Sequence, residues 1–308
     1  MGDLMHALPA LTEAKENIQD ISFDWVVDKN FSSVPSWHPL VNNIITTDHR
    51  NWKKHLFSKQ SRDSLKISIN QINSGNYDLV VDMQNNLKSA FISYLTKHDV
   101  VGMDAKSARE YPAHLSYSRK INIKKELHAI QRQKKLLGEA LGYTSDENKV
   151  DYGASYNNFT KPNINLPNKY FVLVQNASWV TKQWSVQNWQ DLIKNLEEKN
   201  IPMLLPSGNL NEYERAKEIC SISNKAEAIE IMPLNEVAYI IKNAEFCICS
   251  DTGLAHLSAL TGTPSITLYG PTKTSLIGTY GKSQIHIVGK NNDINNITVS
   301  EVLNKIVI

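Results

Sequence analysis

Residues 245–269 read Glu245-Phe-Cys-Ile-Cys249, Ser250-Asp-Thr-Gly-Leu-Ala-His256, Leu257-Ser-Ala-Leu-Thr261 and, after Gly262-Thr263, Pro264-Ser-Ile-Thr-Leu-Tyr269. A short apolar run, a polar turn opening an apolar helical stretch over 252–261, and a second β-branched run make a strand–helix–strand unit. A crossover this short forces the two strands parallel and right-handed, with the helix covering one face. The same alternation extends outward on the N-terminal side. Tyr170-Phe-Val-Leu-Val174, Pro202-Met-Leu-Leu205 and Ala228-Ile-Glu-Ile231 are predicted strands, with helices over 186–199, 211–222 and 234–243. This is the pattern of a Rossmann-like domain. Cys247 and Cys249 point to one face of their strand and belong to its core rather than to a metal site.

The first half alternates less regularly. Helix 5–17 precedes strands Phe23-Asp-Trp-Val-Val27 and Asn43-Ile-Ile-Thr46. Helix 63–74, strand Asp78-Leu-Val-Val-Asp82, helix 87–95 and a strand starting at Val100-Val101 follow. Residues 145–169 have the composition of a linker. A length of 308 residues exceeds one compact core. We therefore expect two α/β domains, 1–160 and 161–308, whose parallel sheets face a cleft. The last helix is expected to pack back on the first domain. Hydrophobic content of 41% with 21% charged residues excludes a disordered chain. No apolar run is long enough for a membrane-spanning helix, and Met1-Gly2-Asp3-Leu4 lacks the pattern of a signal peptide. Three cysteines are too few for a disulfide framework. The composition reads as that of a cytoplasmic protein.

Net charge is +2, unevenly spread. Arg50, Lys53, Lys54, Lys59 and Arg62 follow one another with no acidic residue between them. Arg119, Lys120, Lys124, Lys125, Arg132, Lys134 and Lys135 are opposed only by Glu126. Each run is either a solvated helix face or a surface for an anionic partner such as phosphorylated lipid or a membrane headgroup. Nucleic acid is disfavoured, because neither run is interleaved with aromatics or set in a reading module.

In parallel sheets ligands bind beyond the carboxyl ends of the strands. After strand 245–249, Asp251, Thr252 and Gly253 open a helix whose free N–H groups and dipole favour phosphate. The plainer alternative is an ordinary N-cap. His256, one turn further, is either a ligand contact or a structural histidine. After strand 170–174 comes Gln175-Asn-Ala-Ser178-Trp-Val-Thr-Lys182-Gln-Trp184, whose lysine suits a pyrophosphate or is simply a loop lysine. After strand 202–205, Glu212 either binds ribose hydroxyls or complements a helix dipole. Three consecutive loops together offer cation, carboxylate and helix N-terminus.

Asp251-Thr-Gly-Leu-Ala-His256, Leu268-Tyr-Gly-Pro-Thr272 and the Ala-Ser…Lys182-Gln-Trp segment resemble glycosyltransferase family 9, the ADP-heptose lipopolysaccharide heptosyltransferases of GT-B fold. Met1-Gly-Asp3-Leu-Met-His6-Ala-Leu-Pro9-Ala-Leu11, Pro35-Ser-Trp-His38, Asp82-Met-Gln-Asn-Asn-Leu-Lys88-Ser-Ala, Ala108-Arg109-Glu110 and Leu276-Ile-Gly-Thr-Tyr-Gly281-Lys resemble its members that add the first heptose. The resemblance covers nearly the whole chain. It implies transfer of L-glycero-D-manno-heptose, with inversion, from ADP-heptose to the Kdo of Kdo-lipid A, without a cofactor. It also implies peripheral contact with the anionic cytoplasmic face of the inner membrane.

Carried over by position, Asp3 matches the catalytic base. Ser178, Lys182, Glu212, Met232, Asp251, Thr252, Gly253 and His256 match donor contacts. Arg50, Lys53, Lys54 and Arg109 match basic positions facing the acceptor. Ser178 stands where these enzymes often carry Thr. No Asp-x-Asp occurs in the sequence, so transfer is expected to be metal-independent. Two alternatives stay open: a family 9 transferase adding a later heptose, and an inactive nucleotide-sugar-binding protein.

The resemblance starts in mid-element at Met1, just after the place of a first strand. We therefore expect the native product to begin upstream, with that strand. Without it, Leu8 and Leu11 should be less well covered and Asp3 should lie on a mobile terminus.

Overall fold

The structure, a computed structural model, describes residues 1–55 and 58–306; the side chains of Arg50 and Lys53 lie outside the described residues. The chain divides into two compact units, one running from Asp3 to Ser155 and the other from Tyr156 onward.

In the first unit the order is α1 (Gly2–Asn17), β1 (Phe23–Asp28), α2 (Ser33–Ser36), β2 (Val41–Thr47), α3 (His49–Lys54), α4 (Lys59–Ser74), β3 (Val80–Val81), α5 (Leu87–Leu95), β4 (Val100–Met103), a 3-10 segment Tyr111–Ser116, β5 (Arg119–Ile121) and α6 (Ala129–Leu141). All pairing is parallel, but it falls into two sheets, β1–β2 and β3–β4–β5. Among the described residues no strand pairs with the second edge of β1 or of β3. Both sheets nonetheless share α1. Ala10, Leu11 and Ala14 pack with Phe23 and Trp25 of β1, Val81 of β3 and Leu137 of α6. Leu8 and Leu11 are both buried, against expectation, and Leu11 is covered by both sheet pieces and α6. Asp3 lies in the first turn of α1.

The second basic run is largely structural. Lys134 is buried, 3.2 Å from Glu13 of α1, and donates to the carbonyl oxygens of Asp146 and Lys149. A buried ammonium needs such partners, and α1 supplies the carboxylate. Lys135 pairs with Glu147 at 2.6 Å, Arg132 donates to the Ser107 carbonyl, and Arg119 reaches the last carbonyls of α6 at Glu139 and Ala140. Lys120, Lys124 and Lys125 stay exposed.

The second unit runs β6 (Phe171–Val174), α7 (Val186–Glu197), β7 (Met203–Leu205), α8 (Leu210–Cys220), β8 (Ala226–Ala228), α9 (Leu234–Lys242), β9 (Phe246–Ser250), α10 (Gly253–Thr261), β10 (Ser265–Tyr269), α11 (Thr274–Ile277), β11 (Gln284–Val288) and α12 (Val299–Leu303). Its six strands form one all-parallel sheet in the order β11-β10-β9-β6-β7-β8. β6, β9 and β10 are buried throughout, as central parallel strands are. Cys247 and Cys249 belong to that core.

The strand expected at 228–231 is centred earlier, at Ala226–Ala228, although the Ile229 N–H still donates to the Leu205 carbonyl. The edge strand β11 is an addition to the expected set. Trp184, Trp189, Leu192 and Ile193 cover one face with Ile219 and Val302. The closing helix α12 thus packs with α7 inside its own unit. No described helix is long and apolar enough to cross a membrane.

Candidate active site

In the second unit, adjacent strands β6, β9 and β10 bring three loops side by side at their carboxyl ends. Lys182, in a 3-10 turn after β6, holds its Nζ 2.7 Å from Oδ2 of Asp251, the first residue after β9. The same oxygen accepts the hydroxyl of Thr272, from the loop after β10. Lys182 keeps about a quarter of its side chain exposed, whereas Asp251 is buried. The expected lysine and aspartate therefore form one cluster, and Thr272, quoted only as motif, joins it. Gly270 permits the approach: a Cβ there would lie 2.9 Å from the Thr181 carbonyl oxygen, beside Lys182.

Thr252 is the N-cap of α10, in extended geometry, but its side chain makes no capping hydrogen bond. The first N–H groups of α10 thus open beside the Lys182–Asp251 pair with the Thr252 hydroxyl not engaged in capping. Gly253 is the first helical residue, and His256 is buried on the same first turn. This arrangement of cation, uncapped helix N-terminus and hydroxyl suits a diphosphate.

The other expected donor residues are set around this cluster with less to distinguish them. Glu212, in the first turn of α8, accepts the Gly208 N–H at 2.8 Å and is itself capped by Asn209 at 3.0 Å. It therefore shapes its own loop. Met232 is half-buried between β8 and α9, and Ser178 is exposed next to the exposed Trp179 and Val180. Sequence reasoning passed over Gln175 and Arg215. Gln175 donates to the Glu212 carbonyl at 3.1 Å and accepts Arg215 Nε at 2.8 Å, while Arg215 also reaches the Trp184 carbonyl at 2.6 Å. These two residues tie the lysine loop to α8. A polar residue directly following a buried strand was the available signal.

In the first unit Asp3 and Arg109, expected as base and acceptor contact, lie together, with Oδ2 2.5 Å from Nη1 and both side chains about half exposed. Burial pushes the Asp3 carboxyl up, but the Arg109 charge and hydrogen bond, with His6 and the N-terminus, hold it below the ordinary carboxylate value. Asp3 is therefore ionised at neutral pH.

Arg109 is placed by the Asp82–Asn86 loop. The carboxylate of Asp82 accepts the N–H groups of Gln84 and Asn85 at 2.9 Å and the Tyr117 hydroxyl at 2.6 Å. The Asn85 carbonyl then accepts the N–H groups of Arg109 and Glu110. Asn85 has a φ of 53°, a left-handed geometry that Asn tolerates. Lys54 is exposed on α3; Arg50 and Lys53 share that helix.

The model of the family described as glycosyltransferase family 9 (heptosyltransferase) matches residues 68–306. Lipopolysaccharide heptosyltransferase 1 of Escherichia coli O18:K1:H7 (strain RS218 / NMEC) is 38% identical over 306 residues, covering 98% of this chain and 93% of its own. Among solved structures, E. coli heptosyltransferase WaaC with ADP superposes with a TM-score of 0.91 at 36% identity, over 98% of this chain and 95% of that one. The same enzyme with ADP-2-deoxy-2-fluoro heptose gives a TM-score of 0.88 at 36% identity, over the same shares of each chain. By family match, near-full-length identity and two parallel α/β units of GT-B type, this chain belongs to glycosyltransferase family 9, the heptosyltransferases.

Proposed function

We propose that the protein transfers L-glycero-D-manno-heptose from ADP-heptose to the Kdo of Kdo-lipid A, with inversion and without metal, in building the lipopolysaccharide core. The observation that carries this reading is the cluster of Lys182, Asp251 and Thr272 beside the uncapped start of α10. It is what departing ADP needs: a cation and helix N–H groups facing the charge that builds on the diphosphate. The likeness to a structure holding an ADP-heptose analogue supports the same donor.

At the acceptor, the ionised Asp3 takes the proton of the attacking hydroxyl as its oxygen bonds to the anomeric carbon and the ADP oxygen leaves with the bonding pair. Arg109 keeps Asp3 ionised and offers a cation to the acidic acceptor. Lys182 takes the place that a metal ion holds in other sugar transferases.

Mass spectrometry of a reaction containing the protein, ADP-heptose and Kdo-lipid A tests the reading. A product heavier by one heptose supports it. Transfer only to an acceptor already carrying heptose would instead identify a later step, and donor binding with no product on either acceptor would identify an inactive binding protein.

A further inference from the structure

The two carboxylate oxygens of Asp251 are used differently. Oδ2 lies 2.7 Å from Lys182 Nζ and accepts the Thr272 hydroxyl, whereas Oδ1 takes no hydrogen bond among the described residues. A buried carboxylate left with an unfilled oxygen is costly unless a donor from outside the chain meets it. The loop that delivers Thr272 is fastened at both ends. At its start, a Cβ on Gly270 would meet the Thr181 carbonyl oxygen at 2.9 Å and the Ile294 nitrogen at 3.2 Å, so the backbone is pressed against two neighbouring segments. At its end, the Thr279 N–H donates to the hydroxyl of the buried Tyr269 at 2.9 Å, and His286 Nε2 lies 2.9 Å from the Thr279 carbonyl oxygen. Tyr269 is the last residue of β10, so the loop is tied back to the strand it leaves.

We propose that Thr272 is a positioning residue for the donor sugar: its hydroxyl, together with Lys182, fills one oxygen of Asp251 and leaves the other to accept a sugar hydroxyl of the nucleotide donor. The inference rests on the donor reading given above and assigns a separate task to each part of the cluster. Lys182 and the first N–H groups of α10 are the donors that a diphosphate needs. Asp251 repels a diphosphate, and what an ionised carboxylate takes from a nucleotide sugar is the proton of a hydroxyl. Held by a flexible lysine alone, the carboxylate could rotate about its Cβ–Cγ bond and offer either oxygen. A second donor on a loop fastened to β10 removes that freedom, so the sugar meets an acceptor already set in place.

The test compares Thr272→Val, which removes the hydroxyl and keeps nearly the same shape, with Thr272→Ser, which keeps the hydroxyl. Calorimetric titration of each whole protein, without acceptor, measures its affinity for ADP and for ADP-heptose. Thr272→Val should bind ADP-heptose roughly tenfold more weakly and ADP within about twofold of the unaltered chain, because ADP lacks the heptose. Retained ADP binding also shows that the variant is folded. Thr272→Ser should restore the affinity for ADP-heptose. In Asp251→Ala, adding Thr272→Val should cost nothing further, since the hydroxyl acts only through that carboxylate.

Equal weakening of ADP and ADP-heptose, or no weakening of either, overturns the proposal. So does a Ser variant as weak as the Val variant, which would place the effect in packing of the methyl group, and so does an additive loss in the double variant. If the unaltered protein binds neither nucleotide, the donor reading falls together with this one. If it binds both but transfers heptose to no acceptor, only the transferase reading fails, and the two titrations still decide the role of Thr272.

Discussion

At the scale of single residues, Asp3 is held by two opposed influences that mutation can separate. Burial pushes its carboxyl up, and Arg109 together with His6 and the N-terminus more than reverses that. The acid limb of kcat/KM should therefore lie below the ordinary carboxylate range, with activity falling as pH drops through it. In Arg109→Gln only His6 and the N-terminus still oppose burial, so the limb should move upward. A limb that stays put in a pH–rate profile would assign the titration to another group.

At the donor cluster, Lys182→Ala should lose about 2–4 kcal/mol of transition-state stabilisation, roughly 30- to 1,000-fold in turnover. Among the described residues the Thr272 hydroxyl is then the remaining partner of the Asp251 carboxylate. Steady-state kinetics at saturating donor would check this, and unchanged turnover would reduce Lys182 to a loop residue.

His38, quoted only as part of a motif, makes a stability prediction. Its Nδ1 accepts the Leu40 N–H at 3.3 Å, so Nε2 carries the proton toward Thr12 Oγ1 at 3.0 Å. Burial, only partly offset by Asp151, lowers its pKa from 6.5 to about 4. The unfolded chain binds a proton below the higher value while the folded ring stays neutral. Stability is therefore full above about pH 6.5 and falls as pH decreases toward about 4, by on the order of 3 kcal/mol. Urea unfolding at a series of pH values should show this slope in the unaltered chain and a flatter one in His38→Gln.

At the scale of elements, the first unit's sheet is in two pieces that rest on one helix. Val26, in the middle of β1, remains more than a third exposed, unlike the residues of the central strands of the second unit. Among the described residues no strand pairs with the second edge of β1 or of β3, while Leu8 and Leu11 are covered.

At the scale of the whole molecule, the small net charge hides a division of labour among basic residues. Arg119, Arg132, Lys134 and Lys135 are bound to carbonyls and carboxylates within the first unit. Lys54, Lys59 and Arg62 face solvent. Raised salt should therefore increase the acceptor KM far more than the donor KM, since exposed charges are screened within roughly 10 Å at 0.1 M. Replacing Lys54, Lys59 and Arg62 by Ala should reproduce the salt effect, and replacing Lys135, which is paired with Glu147, should not. Initial-rate kinetics with each substrate varied would separate the two, and an acceptor KM indifferent to salt would remove the electrostatic account.

Local pattern marked the central strands of the second unit, such as the uninterrupted apolar run Phe171–Val174, though not the edge strand β11, and so pointed to the loops after them as the candidate site. Lys182, Asp251 and Thr252 were legible for that reason, and α5 was legible because its boundaries coincide with a clean apolar period. Three things were decided only by tertiary structure. Lys134 and Arg119 read as solvated charge or as a surface for an anionic partner until α1 supplied a carboxylate and α6 its last carbonyls. Asp3 and Arg109, 106 residues apart, became partners only because the Asp82–Asn86 loop sets the backbone of Arg109. The exposed Leu87, Phe91 and Tyr94 of α5 could not be told from a core stripe, because apolar periodicity records a repeat of side chains and not which surface will cover them.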